Sequence, residues 1–289
     1  VKVVEMFSGF GLGGAERSIA ARLARNPPDI ETLFVNIGDP EGPMRAQIAA
    51  LARIIDLGPY AVRRLANLMH QEQPDLVLAH TPRATIMVAL ATARMRPSPK
   101  VVSVVHMTVI SERWWKRLLQ FVPLWLANRR NDLTVAVSAA AARSEWARGS
   151  RRVVVQPLGA ELIGDASDVA LLDTWSSVAR LRWIALARLS PAKNLDGLVA
   201  AVAQVAAPMR AAGAELIIVG DGPAARSIDT AIAAAGVGDL VARRTATLTP
   251  GPLLEVADAL IISSTEEGGP LTASEALLAG TRLVSTPVG

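Results

Sequence analysis

Short β-branched apolar runs alternate with longer, Ala-rich amphipathic stretches along most of this chain. Val1–Phe7, Thr32–Ile37, Arg53–Leu57, Leu76–Ala79, Val101–Val105, Thr134–Val137 and Val153–Gln156 have the length and composition of strands. Several are continuously apolar, as strands buried on both faces should be. Between them, Ala15–Arg25, Tyr60–Gln71, Arg83–Met95, Arg113–Arg129 and Ala139–Arg148 place apolar residues at helical spacing. This alternation predicts βαβ units, hence a parallel sheet with helices on both faces.

The rhythm breaks over residues 157–178, where Pro157, Gly159, Gly164 and several Asp and Ser residues predict a linker. It then restarts. Leu181–Ala187, Glu215–Val219, Leu240–Ala242, Ala259–Ile262 and Arg282–Ser285 read as strands. Leu195–Ala207, Ala224–Ala235, Pro252–Ala257 and Pro270–Leu278 read as the helices between them. The expected organisation is α/β, with two doubly wound Rossmann-like domains, 1–156 and 179–289, facing a cleft. Ligands of such sheets bind beyond the carboxyl ends of the strands. The last strand-like run stops just short of Gly289, so the second domain is expected to be incomplete at its C-terminus.

Composition narrows the chemistry. The absence of Cys excludes disulfides, thiolate metal sites and cysteine nucleophiles. The three histidines, His70, His80 and His106, are too scattered to predict a zinc site, and no Asp-x-Asp pair offers a metal clamp. No metal is therefore expected. The net charge is only +4 while the pI is about 10.1, because most cations are Arg. That pI is no argument for nucleic acid as a partner. No apolar run is long enough to span a membrane, and no leader pattern opens the chain, so a cytoplasmic protein is expected.

Six constellations could carry function. Gly9-Phe-Gly-Leu-Gly-Gly14 lies between the first strand and first helix, where glycines and free helical N–H groups can cradle a phosphate. It also fits the dinucleotide pattern Gly-x-Gly-x-x-Gly, with Asp39 as a candidate ribose acid. Its plain reading is a turn needed for tight packing, and Glu16 after it suits a helix dipole. Ala187-Arg-Leu-Ser-Pro-Ala-Lys-Asn194 sets Arg188 and Lys193 beyond a strand's carboxyl end, where a guanidinium fork and a point charge can converge on a diphosphate. A solvated loop is the alternative. Gly220-Asp-Gly-Pro223 repeats the strand-to-glycine pattern, and Gly220 and Gly222 would let a nucleotide approach the backbone. An ordinary turn would look the same.

In Glu266-Glu-Gly-Gly-Pro-Leu-Thr-Ala-Ser-Glu275, Gly268 and Gly269 expose a helix N-terminus to phosphate, and Pro270 suits the first helical position. Glu267 stays on the loop and Glu275 lies over a turn inside the helix, so the two address different parts of an elongated ligand. A surface position is the alternative for Glu275 and the preferred one for Glu266. His106 ends a buried strand, where it could bind a sugar or relay a proton, or simply be structural. His80 holds the same position one strand earlier. Last, residues 112–130 mix Trp114, Trp115 and Trp125 with Arg and Lys, as a peripheral membrane contact would. A core-packing helix with solvated cations is the alternative.

The order of these motifs resembles the family 4 retaining glycosyltransferases of the GT-B fold. Gly-Gly-Ala-Glu comes first, then Ala-Arg-Leu-Ser-Pro-Ala-Lys-Asn, Val-Gly-Asp-Gly-Pro, Glu-x7-Glu and Ala-Gly-Thr-Arg-Leu-Val-Ser-Thr-Pro-Val-Gly. The resemblance implies transfer of a sugar from a nucleotide-sugar donor, with retention, to an acceptor hydroxyl of a glycan or a lipid-linked glycan. By motif, Arg188 and Lys193 would bind the diphosphate, Glu267 the donor sugar and Glu275 the ribose. Gly13 and Gly14 would belong to the loop over the donor phosphates, and His106 would lie near the donor sugar. No protein nucleophile is implied, and such folds usually use no metal. The chain departs from the pattern where Gly269-Pro270 replaces the usual Phe, which leaves the sugar open. Val241–Ala246 lacks the usual Gly near the base, which leaves the base open.

Three rivals remain at this level. An NAD(P)-dependent oxidoreductase would use Gly9–Gly14 but leaves Arg188, Lys193 and the two glutamates unexplained. A nucleotide-sugar-binding but inactive remnant and a GT-B epimerase share the motifs.

Overall fold

The computed structural model describes residues 1–108, 114–160, 179–245 and 251–288, with the backbone alone for 114–118. Most of the expected linker, residues 161–178, lies outside the described residues, as does Ala246. So do residues 112 and 113 and the side chains of Trp114 and Trp115 in the expected membrane stretch. Two compact units form, Val1–Leu158 and Gly159–Val288.

In the first unit, strands β1 (Lys2–Phe7), β2 (Glu31–Asn36), β3 (Arg53–Asp56), β4 (Leu76–Ala79), β5 (Lys100–Val105), β6 (Leu133–Ala136) and β7 (Val153–Val155) form one sheet. Its order is β3-β2-β1-β4-β5-β6-β7 and every pairing is parallel. The helices are α1 (Gly14–Leu23), α2 (Arg45–Ala49), α3 (Val62–Glu72), α4 (Pro82–Ala91), α5 (Trp114–Asn128) and α6 (Ala139–Ala142). Strand alternation decides which helix covers which face. Val4 and Met6 join Leu65, Met69, Met87 and Val88 of α3 and α4. Phe7 and Phe34 join Ile19, Leu23 and Ile48 of α1 and α2 on the opposite face.

The second unit repeats the scheme with a smaller sheet. Strands β8 (Leu181–Leu186), β9 (Ala214–Val219), β10 (Val241–Arg244), β11 (Ala259–Ile262) and β12 (Arg282–Ser285) run in the order β10-β9-β8-β11-β12, all parallel. Helices α7 (Leu195–Gln204), α8 (Ala206–Ala212) and α9 (Ala225–Ala235) follow on, then α10 (Gly251–Val256) and α11 (Leu271–Ala279). Leu216 and Ile218 pack on α7 and α9, while Ile217 and Val219 face α10 and α11. Each sheet is thus doubly wound, with its strand order reversing at β1/β4 in one unit and β8/β11 in the other.

Three helices differ from the sequence expectation. The run Ala139–Arg148 is helical only to Ala142, because Trp146 folds into the core beneath α5. There the Trp146 and Arg148 carbonyls accept the Asn128 side-chain amide, at 2.6 and 2.9 Å, in place of helical partners. The run Leu195–Ala207 breaks at Val205, and α8 begins just after it, with Pro208 in its first turn. Helix α2 is too short for periodicity to announce.

Candidate functional site

At the reversal point of the second sheet, β8 and β11 each send a loop past the strand ends. Beyond β8, Pro191–Lys193 closes a tight 3-10 turn, with the Lys193 N–H donating to the Ser190 carbonyl at 3.0 Å. Asn194 then takes a left-handed φ of 50° to launch α7. Beyond β11 come Ser263, Ser264, Thr265 and Glu267. The Lys193 ammonium reaches Glu267 Oε1 at 2.5 Å, and the Ser264 hydroxyl donates to the same oxygen at 2.7 Å. One carboxylate oxygen is therefore doubly held, and the other accepts no hydrogen bond among the described residues. Both side chains are only partly exposed, so the pair is not a solvated surface bridge.

The two loops are sewn together by hydroxyls that sequence reasoning did not single out. Ser263 donates to the Lys193 carbonyl at 2.9 Å, and the Thr265 N–H and hydroxyl both reach the Ala192 carbonyl, at 2.9 and 3.2 Å. Thr286, just after β12, donates to the Ser264 carbonyl at 2.6 Å. A run of small hydroxyl residues after a buried strand was the available signal.

Arg188 shares the β8 loop but stands apart. It is exposed, and its guanidinium has no partner among the described residues. The Gly220–Gly222 turn braces this loop from β9. A Cβ at Gly220 would strike the Ala187 carbonyl, and one at Gly222 would meet the Leu189 carbonyl at 2.5 Å. Gly222 also has a φ of +147°, which favours glycine. Packing against Ala187 and Leu189 therefore accounts for both glycines.

Gly268 is buried and Gly269 partly so in the loop before α11; Pro270 sits just ahead of the helix rather than in its first turn. Glu275 is 1% exposed, which rules out the surface position for it. Glu266 is exposed.

The first unit holds a separate polar group at its own reversal point. Gly13 caps α1, and a Cβ at Gly11 or Gly13 would run into the Glu16 carboxylate, which curls back over the loop. Gly14 opens the helix. The buried Asn36 pins this region: its Oδ1 accepts from the N–H groups of Gly9 and Gly38, both at 2.9 Å, and its amide donates to Asp56 at 2.8 Å. Asp39 is occupied by its own turn, accepting from the Glu41 N–H at 3.0 Å.

Below that loop a buried row runs across three strands. Glu5 on β1 is fully buried and paired with Arg22 of α1. His80, just past β4, brings Nε2 to 2.8 Å from Glu5 Oε1 in a bent contact. His80 Nδ1 lies 2.9 Å from Nε2 of His106, just past β5, with the rings stacked at 22°. Burial pushes both imidazoles down to about 3, with Arg22 adding to the effect on His80 and His80 to that on His106. Both rings are neutral near pH 7. Glu5 was legible only as a charge inside an apolar strand, and its partners were not legible at all.

Lys193 and Glu267 are thus in contact, with Arg188, Gly220 and Gly222 on the same or bracing loops. Gly13, Gly14 and His106 belong to the first unit. Among the described residues no cluster of His, Asp and Glu could hold a metal ion.

Two parallel sheets of seven and five strands, each with polar loops at its reversal point, define the class by architecture: a protein of the GT-B fold. The family follows from sequence. The family model for Glycosyltransferase Family 4 matches residues 13–162, and that for Glycosyl transferases group 1 matches residues 180–289. The chain belongs to family 4, whose members are retaining, nucleotide-sugar-dependent transferases. No curated relative matches the sequence.

Among solved structures, Anabaena HepE in complex with UDP and glucose is 21% identical. It covers all of this chain and 81% of its own length, at a TM-score of 0.81. Sucrose-phosphate synthase of Thermosynechococcus elongatus is 16% identical, with 100% and 82% covered and a TM-score of 0.78. The pneumococcal O-GlcNAc transferase GtfA with UDP and GlcNAc is 13% identical, with 100% and 84% covered and a TM-score of 0.72. At these identities the likeness is one of fold.

Proposed function

We propose that this chain moves a sugar from a nucleoside-diphosphate sugar to an acceptor hydroxyl of a glycan or lipid-linked glycan. The observation that carries the reading is the convergence of Lys193 and Glu267 where the β8 and β11 loops meet. Lys193 and Arg188 take the diphosphate and offset the charge that grows as the nucleoside diphosphate departs. Glu267, freed from Lys193 when the anion arrives, orients the donor sugar through its hydroxyls. Glu275 serves the ribose. Gly268 and Gly269 give backbone N–H groups access to phosphate ahead of α11. In the first unit, Gly13 and Gly14 serve the donor phosphates and His106 the donor sugar. The chain's own residues bind and orient, and no side chain is asked to act as a nucleophile.

UDP-sugars are the first donors to test, since HepE and GtfA were each seen with UDP. In a donor panel with released nucleotide as the readout, Lys193→Ala is expected to lower kcat/KM by about 10²–10³, the usual cost of losing one charge-stabilising donor. Normal turnover by Lys193→Ala would sink the site assignment. Donor binding without turnover by the wild type, across a broad acceptor set, would favour the inactive remnant.

A membrane contact through 112–130 is part of the same reading, in keeping with a lipid-linked acceptor. Its support is the outward face of α5, where Leu119, Val122 and Leu126 are all more than half exposed.

A further inference from the structure

The first unit holds a buried carboxylate, Glu5, a buried histidine, His80, and a half-buried one, His106, that the reading above uses only in part. We propose that His80, backed by Glu5, is a positioning residue: it fixes His106 as the Nε2–H tautomer, so that His106 offers its Nδ1 lone pair to a hydroxyl of the bound donor. The second half rests on the assignment of His106 to the donor sugar.

The proton positions follow from what faces what. The Glu5 charge is already matched by Arg22, so nothing demands an imidazolium. A carboxylate oxygen 2.8 Å from His80 Nε2 favours a proton on that nitrogen. A neutral His80 then turns a lone pair toward His106 from Nδ1. Two lone pairs cannot face each other at 2.9 Å, so His106 Nε2 carries the proton. His106 Nδ1 is left as an acceptor, and it is buried with no partner among the described residues. A buried unpaired acceptor is the kind of group a ligand hydroxyl satisfies. The Phe7 ring lies edge-on to the His80 ring at 6.2 Å and supplies no competing proton. The depressed basicity of both rings agrees with this neutral state.

The test is nitrogen-15 NMR of imidazole-labelled protein without donor, in a His70→Gln background, with His106→Asn for assignment. His106 should show a protonated Nε2 and an unprotonated Nδ1 at neutral pH. His80→Gln should keep that pattern, because its amide oxygen can accept from His106 while its amide N–H faces Glu5. His80→Leu should mix the tautomers and lower kcat by about 10-fold, as the loss of one hydrogen bond would, with His80→Gln recovering most of the rate. An Nδ1–H or imidazolium His106, or an unmixed tautomer in His80→Leu, overturns the proposal. The expected tautomer together with wild-type transfer by His106→Asn would overturn the donor assignment and leave the His80–His106 relay standing.

Discussion

A titratable side chain inside a sheet is stable only in the form its neighbours accept. His80 and His106 are held neutral, at about 3, against an ordinary value of 6.5. Between those values the unfolded chain binds protons that the folded chain does not. Stability therefore rises with pH through this window and is lost as pH falls below about 6.5, by up to ~1.4 kcal/mol per pH unit for each histidine. Carboxylates such as Asp56 and Glu72 have values lowered by their cations, so they add their own loss only further into acid. In urea titrations from pH 6.5 to 5, the first unit should weaken steeply. A His80→Gln, His106→Asn double variant should flatten that dependence, and an unchanged slope would show that the loss arises elsewhere. The sequence made His106 and His80 visible as residues at the ends of two strands. It could not show the link between them, because their contact depends on β4 and β5 being neighbours, while β1 lies on the other side of β4.

At the scale of elements, a loop is only as precise as the bonds that tie it down. Sequence motifs placed Arg188, Lys193, Glu267 and Glu275 at strand ends and a helix, because glycine and proline punctuate βα turns audibly. What the motifs could not carry is the stitching by Ser263 and Thr265, whose hydroxyls acquire meaning only once β11 lies beside β8. Ser264 bears most directly on Glu267. It is 3% exposed, and its 2.7 Å bond shares with Lys193 the same carboxylate oxygen. On the proposed reading Lys193 turns to a diphosphate, and Ser264 then remains as the described side chain still orienting Glu267. A hydrogen bond to a charged group contributes roughly 1.5–3 kcal/mol. Ser264→Ala should therefore lower kcat by about 10–100-fold with little change in nucleotide diphosphate inhibition. Equal losses in turnover and in inhibitor affinity would instead point to a distorted β11 loop, which a matching drop in thermal stability would reveal.

At the scale of the whole molecule, α5 presents an apolar stripe that packing among the described residues does not explain. Helix α5 buries Leu124 and Ala127 against the first sheet's flank, as a core helix should. Its opposite stripe is apolar too: Leu119 is 68% exposed, Val122 58% and Leu126 53%. Beside that stripe, Arg129 lies over the Trp125 ring at 4.9 Å and Arg130 is exposed. Core packing of one face therefore leaves a second apolar face outside and does not exclude the surface contact expected from the sequence. None of the described helices is long and apolar enough to cross a bilayer, so contact would lie along the surface. Inserting three aliphatic side chains contributes about 1.5–3 kcal/mol each at full burial. Each cation near an anionic leaflet adds about 1 kcal/mol. A Leu119→Ser, Leu126→Ser variant should thus bind vesicles of any composition at least ~10-fold more weakly. Arg129→Glu with Arg130→Glu should weaken binding to anionic vesicles only, and more so at low salt. If the serine variant sediments with anionic vesicles as the wild type does, α5 is not the contact. If the wild type ignores vesicles altogether, the acceptor must reach this enzyme in water, and a lipid-linked acceptor gives way to a freely dissolved glycan.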